Sequence, residues 1–338
     1  MENRKDIIQE FLNQQKWGDA HRLPLAGDAS FRRYERLIQN NKTVILMDAP
    51  PPKENIKSFL NIGKILNDIK LSAPEIYAYD ELNGLILLED LGDNTYTVLL
   101  QKGYSEKELY ELAGDVLIEI RQRIQSDHLN LIPKFDVSRA LREVQVFLDW
   151  YWPLVMEGAE ISEDIRKDYV QKWERILHHY LDFFPTLTLF DFHVDNLILL
   201  PQRIGVRACG LLDFQDAVSA PAPFDLMSLI DDARRDVSLT LGKHLKDRYK
   251  TNFSKDDYEH FDILYDLLAA QRHTRILGTF CRLYRRDHKP AYLNFIPRVW
   301  QQLMNALQNK HLLNIKEWFD YYIPSSKRLL PPSLLYKK

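Results

Sequence analysis

Four polar side chains sit between apolar runs in Leu189-Phe190-Asp191-Phe192-His193-Val194-Asp195-Asn196-Leu197. Asp191 and Asn196 are five residues apart. On an α-helix they would diverge by about 140°, so they converge only if the residues between them form a loop. Twenty-two residues after Asp191, Gly210-Leu211-Leu212-Asp213-Phe214-Gln215-Asp216 ends another apolar run in a carboxylate. Phosphoryl transfer calls for this inventory: a carboxylate to accept a hydroxyl proton, and hard oxygen ligands to hold Mg2+ against the β- and γ-phosphates. On that reading Asp191 is the base, and Asn196 and Asp213 hold the metal. A lone D-x-x-x-x-N is usually a turn or a cap. The joint pattern, at this spacing and between apolar segments, is what carries the chemistry.

The elements that must position these residues change character along the chain. The first ninety residues are strand-rich after a short amphipathic helix bearing Ile7, Ile8, Phe11 and Leu12. Phe31–Ile38 and Thr43–Met47 read as a hairpin, because Gln39-Asn40-Asn41-Lys42 is turn chemistry. Ala49-Pro50-Pro51-Pro52 ends it, and a helix is expected from about Lys53 to Ile69. Ile76–Tyr79 and Leu85–Glu89 read as a second strand pair turning at Asn83-Gly84. After Gly92 helical periodicity dominates, with expected helices near 105–125, 138–152, 161–183, 223–231, 237–250, 257–285 and 296–309. The expected boundary lies near Glu89-Asp90-Leu91-Gly92, giving a nucleotide-covering lobe over 1–91 and a helical lobe with the catalytic loop, metal site and acceptor site over 92–338. The fold class expected is α+β.

Composition excludes more than it names. The chain has 338 residues, a formal net charge of −3 and 28% charged residues, which gives no electrostatic case for a nucleic-acid or membrane-surface partner. No run approaches 18 uncharged apolar residues. Cys209 and Cys281, the only two cysteines, lie in apolar segments and suit a reduced, cytoplasmic protein. Nothing points to an obligate protein partner.

Asp191-Phe192-His193-Val194-Asp195-Asn196, followed by Leu211-Leu212-Asp213-Phe214-Gln215-Asp216-Ala217, resembles the aminoglycoside phosphotransferase/choline kinase family. That family usually reads H-G-D-x-H-x-x-N and then I-D-W/F-x-x-A. The resemblance implies a protein-kinase-like fold with a small β-rich N-lobe and a larger, mainly helical C-lobe. It also implies that ATP is the donor, that His193 orders the catalytic loop, and that Asp225 in Pro223-Phe224-Asp225-Leu226 braces it. Two departures stand out: Leu189-Phe190 occupies the place of His-Gly, and Gln215 the place of the glycine of protein kinases. Gly27-Asp28-Ala29-Ser30-Phe31-Arg32-Arg33-Tyr34, Met47-Asp48-Ala49-Pro50-Pro51, Asp231-Asp232-Ala233-Arg234-Arg235-Asp236 and Gln271-Arg272-His273, with the Asp213 segment, are similar to one subgroup. These are the bacterial kinases of cell-wall recycling that phosphorylate the anomeric hydroxyl of N-acetylmuramate and N-acetylglucosamine.

For the nucleotide, backbone amides of Gly27-Asp28-Ala29 together with Ser30 are candidates to cap phosphates. Arg32 and Arg33 are candidate charges, and as strand neighbours only one can face the ligand; Arg33 is the one expected to do so. Glu89 and Leu91 are the expected hinge, acting through main-chain atoms. Thr43-Val44-Ile45-Leu46-Met47-Asp48 has no interior lysine, so the usual phosphate grip is unassigned. For the sugar acceptor the candidates are Asp216, Arg234, Arg272 and Arg275. Arg272, Arg275, Arg282 and Arg286 fall within about 80° on one helix, the signature of an amphipathic surface helix, or of a stripe whose Arg272 or Arg275 meets a lactyl carboxylate. A kinase for cationic acceptors, a nucleotide-binding pseudokinase and a metal-dependent hydrolase are the competing readings. The basic stripe argues against the first, the retained base and metal ligands against the second, and the lone histidine against the third.

Overall fold

The computed structural model describes residues 3–25 and 31–329. Its contacts group the chain into two compact units, residues 1–132 with 191–217, and residues 133–190 with 218–338. Within the first unit α3 (Tyr96–Gln101) and α4 (Glu106–Arg123) pack on β7 (Leu197–Leu199) and β8 (Cys209–Leu211).

In that unit α1 (Arg4–Gln14) starts where the Asn3 side chain accepts from the Lys5 N–H. Its Ile8, Phe11 and Leu12 pack on Leu37, Val44, Leu46, Leu85 and Leu87 of the sheet. The sheet is antiparallel, in the order β1 (His21–Pro24), β2 (Arg33–Gln39), β3 (Lys42–Asp48), β5 (Leu85–Glu89), β4 (Ile76–Asp80). β1 and α3 are too short to show in the periodicity. The β2–β3 hairpin closes with Gln39 opposite Lys42. Asn40 and Asn41 take φ of 50° and 60°, the left-handed pair that a two-residue turn needs and asparagine tolerates. α2 (Lys57–Asp68) begins four residues later than expected, because the Asn55 side chain accepts the Lys57 N–H at 2.8 Å and sets the start there.

The second unit is built on helices: α6 (Val137–Val146), a π-helical turn (Phe147–Tyr151), α8 (Glu163–Tyr180), α9 (Pro223–Ile230), α10 (Leu239–Lys250), α11 (Tyr258–Asp287), α12 (Ile296–Ala306) and α13 (Leu313–Tyr322). One two-stranded ribbon, β6 (Pro185–Thr188) with β9 (Val218–Pro221), joins them. The expected surface helix is instead the centre of this unit. Residues Leu267 to Thr274 of α11 are all buried, because α6, α9 and α12 surround them. Gly278 permits the closest approach: a Cβ there would lie 2.4 Å from the Val146 carbonyl. Among the described residues no helix is long and apolar enough to cross a membrane.

Candidate active site

The catalytic segment is positioned by the β7–β8 ribbon. Leu197 pairs with Leu211, and the Leu212 N–H donates to the Asn196 carbonyl at 2.9 Å. Asn196 and Asp213 therefore leave the same end of the ribbon, and both line one cavity of about 270 Å³. The loop before Asn196 is a single 3-10 turn over Val194–Asn196. Its Nδ2 donates to the Asp191 carbonyl at 2.9 Å, which commits the nitrogen branch and leaves Oδ1 as the branch for a cation. His193 is buried against this turn, with Nε2 3.4 Å from Asn196 Nδ2 and Nδ1 3.6 Å from Asp195. Asp195 in turn accepts the Thr97 hydroxyl.

Phe190, where the family pattern has glycine, adopts φ of 76°. A bulky residue in the left-handed region costs roughly 1–2 kcal/mol. Within the second unit the surroundings hold it there. The Asp225 carboxylate accepts both the Leu189 N–H (2.5 Å) and the Phe190 N–H (3.0 Å). Arg272 Nη1 donates to the Phe190 carbonyl at 3.0 Å. The ring stacks on Phe224 at 5.1 Å and lies 4.5 Å from the Arg139 guanidinium and 4.8 Å from that of Arg275. The two residues ahead of Asp191 are thus fixed by side chains, and packing supplies what glycine supplies elsewhere.

On the cavity side of the sheet, Tyr34, Arg36, Ile45, Leu88, Glu89, Asp90 and Leu91 join Phe59, Leu212 and Phe214 in the wall. The Glu89 N–H is already used by the Glu75 carbonyl at 2.8 Å, and Leu91 has no backbone partner among the described residues. Sequence reasoning missed Arg36. It forms four hydrogen bonds of 2.7–3.0 Å to Asp90 and Asp93. Burial works to raise the Asp90 carboxyl, but Arg36, the Gly92 N–H and Thr43 outweigh it and hold it below the usual range. Alternation from β2 was the available signal: Arg32, Tyr34 and Arg36 share one face, with Arg33, Glu35 and Leu37 on the other. Arg33 is exposed, whereas Arg32 Nη2 lies 3.5 Å from Asp213 Oδ1. Gly27, Asp28, Ala29 and Ser30 fall outside the described residues.

The acceptor candidates are spread. Asp216 is exposed and accepts from Gln215 at 3.2 Å, and Arg234 is exposed as well. Arg272 is buried on the Phe190 carbonyl, and Arg275 lies 3.7 Å from Glu143.

Within the second unit a polar set surrounds Asp231. Tyr265 donates to its carboxylate at 3.0 Å, and His273 Nε2 lies 3.2 Å from its carbonyl. Burial raises the Asp231 carboxyl from 3.8 to about 6, and burial lowers His273 from 6.5 to about 4. The two act oppositely on stability. The contribution of Asp231 is fully present below pH 3.8 and is lost as pH rises through about 6. That of His273 is fully present above pH 6.5 and is lost as pH falls through about 4. Asp231→Asn keeps an acceptor for Tyr265 and removes one slope. The unfolding free energy of the variant relative to the parent should therefore rise by about 3 kcal/mol between pH 3.5 and pH 7. Urea titrations at several pH values measure it, and a pH-independent difference would refute the assignment.

Among the described residues no cluster of three or more His, Cys, Asp or Glu could hold a metal by itself. Mg2+ takes one or two protein oxygens and completes its shell with water and phosphate; the Asn196 amide oxygen and the Asp213 carboxylate are donors of that kind and line one cavity.

Residues 21–264 match the family described as Phosphotransferase enzyme family. An N-acetylmuramate/N-acetylglucosamine kinase of Caulobacter vibrioides is 35% identical, over 94% of this chain and 96% of that protein. A protein of the same description from Pseudomonas aeruginosa is 31% identical, over 90% of this chain and 89% of that one. In fold, the chain is similar to an ADP-bound aminoglycoside phosphotransferase, with a TM-score of 0.60 and 15% identity over 89% of this chain and 98% of that chain.

Proposed function

We propose, from the premise that the chain belongs to the phosphotransferase enzyme family, that it transfers the γ-phosphoryl group of ATP to the anomeric hydroxyl of N-acetylmuramate or N-acetylglucosamine. The observation that carries the acceptor is the pair of relatives of that description, matched along nine-tenths of the chain. The site supports the chemistry. The wall formed by Leu88, Glu89, Asp90 and Leu91 receives the adenine, with Leu91 offering main-chain donor and acceptor atoms. Arg36 locks Asp90 and Asp93, so that the edge is rigid before the nucleotide arrives. Asn196 and Asp213 hold Mg2+, which neutralises charge on the phosphates when it is bound. Asp191 accepts the proton of the attacking hydroxyl. An anomeric hydroxyl is more acidic than other sugar hydroxyls, so a carboxylate suffices. Asp225, Arg272 and the Phe190 stack set the backbone from which Asp191 extends. A reaction that draws on ATP is in keeping with a cytoplasmic location.

Incubation with Mg-ATP and a panel of sugars, followed by phosphorus NMR, tests this reading. N-acetylated hexosamines should give the 1-phosphate. 2-Deoxyglucose should be turned over at least about 10²-fold less efficiently, since a site built to bond an acetamide is left with unpaired polar groups when it is missing. A 6-phosphate product, or turnover confined to cationic aminoglycosides, would overturn the proposal.

A further inference from the structure

We infer that the Thr97 hydroxyl is a positioning group for the metal-binding amide of Asn196, acting through Asp195 and His193; this rests on the metal reading of Asn196. Asp195 is the one polar side chain of the Asp191–Asn196 segment to which the proposed chemistry gives no part. A carboxylate next to a metal ligand invites the reading that it is a further ligand. The geometry opposes that. In a 3-10 turn successive side chains diverge by about 120°. Asp195, beside Asn196 in the Val194–Asn196 turn, does not join the cavity wall that Asn196 and Asp213 share. Its carboxylate faces two neighbours instead. Oδ1 accepts the Thr97 hydroxyl, and Oδ2 lies 3.6 Å from His193 Nδ1.

These contacts fix which way the Asn196 amide points. A carboxylate beside Nδ1 favours the imidazole tautomer that carries its proton on Nδ1 and leaves Nε2 an acceptor. Nε2 lies 3.4 Å from Asn196 Nδ2, and the same nitrogen donates to the Asp191 carbonyl at 2.9 Å. Both amide hydrogens then meet acceptors, and Oδ1 is left for a cation. With the proton on Nε2 instead, two donors would face each other. The amide would then turn its oxygen toward the ring and its NH2 toward the cation. Thr97 holds the far end of this chain. It sits on α3, whose start is fixed on β7: the Leu199 N–H donates to the Asn94 carbonyl at 3.0 Å, and Thr95, which caps α3, bridges Ile198. The hydroxyl therefore reaches Asp195 from a helix already docked on the catalytic segment, and it keeps a half-exposed carboxylate beside the ring.

Nitrogen NMR of protein carrying isotope-labelled histidine, without metal or nucleotide, reads the tautomer at about pH 8, where an imidazole is neutral. The His193→Gln variant identifies the signal. The parent should carry the proton on His193 Nδ1. Thr97→Val removes the hydroxyl, keeps the shape, and should show a mixture of the two tautomers. Asp195→Ala should show the same mixture if the valine variant is unstable, and Thr97→Ser should restore the parent signal. Calorimetric titration of ATP with Mg2+ and with chelator gives a second readout. The factor by which Mg2+ tightens ATP binding should shrink by about 10-fold in Thr97→Val, the lower end of what a group orienting a metal ligand is worth. Affinity in chelator should stay within about twofold. Turnover should fall by about 10- to 100-fold with the sugar KM within about twofold, and Thr97→Ser should recover it. An unchanged tautomer in both Thr97→Val and Asp195→Ala would overturn the inference. So would a loss of ATP affinity in chelator equal to that with Mg2+, or a serine variant no better than valine. A parent protein whose ATP affinity ignores Mg2+ would instead overturn the metal reading on which the inference stands.

Discussion

Asp191→Asn is expected to lower kcat for N-acetylglucosamine phosphorylation by about 10²- to 10⁴-fold, the usual worth of a general base, while nucleotide affinity stays within a few-fold of the parent. The substitution is isosteric and keeps an oxygen acceptor at the same position. Asn196 bonds the Asp191 main-chain carbonyl, not its side chain, and Asp225 fixes the main chain of Leu189 and Phe190. What is lost is a negative charge able to take up the hydroxyl proton. The amide still accepts a hydrogen bond and can still orient the sugar, so KM should move little. Initial-rate kinetics with saturating Mg-ATP measure the effect. Turnover within about tenfold of the parent would remove Asp191 from the role of base.

Asp213→Asn should abolish the metal dependence of nucleotide binding and lower turnover by at least about 10²-fold. Charge neutralisation by a bound cation contributes several kcal/mol in the transition state, and each 1.36 kcal/mol is a decade in rate. Asparagine is the informative replacement. Asp213 holds φ of 53°, a left-handed conformation that asparagine tolerates and alanine does not, so Asp213→Ala would confound a lost ligand with a strained turn. Asp213 also accepts from Gln215 at 2.9 Å, and an asparagine oxygen can do the same. Affinity for ATP measured with Mg2+ and with chelator should converge in the variant and differ in the parent. Equal values in the parent itself would refute the ligand assignment.

Several features were legible in the sequence because they depend on local chemistry. Asn40-Asn41 specifies a tight hairpin turn because two adjacent left-handed residues are needed there, and asparagine accepts that conformation better than most. The D-x-x-x-x-N and D-F pair stands out as a candidate site because phosphoryl transfer calls for those donor types and because apolar runs flank them as strands. The Leu197–Leu211 pairing then brings Asn196 and Asp213 to one end of a ribbon, which is how two residues seventeen positions apart come to line one cavity. The family resemblance rests on the same side chains.

Other features depend on what packs against what, and no local pattern encodes that. Sequence alternation says that Arg32 and Arg33 face opposite ways, but not which of them lies on the side of the sheet away from α1. Leu37, Val44 and Leu46 packing under α1 settles it, because that face of β2 is the core face and Arg33 shares it. The arginine stripe of α11 has the periodicity of a solvated face, yet Arg272 is buried, because three helices enclose this one and the Phe190 carbonyl gives its charge a partner. Phe190 itself stands where glycine is expected. Its left-handed backbone is made tolerable only by Asp225, Phe224 and the guanidinium groups around it, residues up to eighty-five positions away in the chain. The sequence by itself determined the candidate reacting groups and their order. Only the tertiary structure decided which charges those groups meet, because burial and partnership are set by long-range packing.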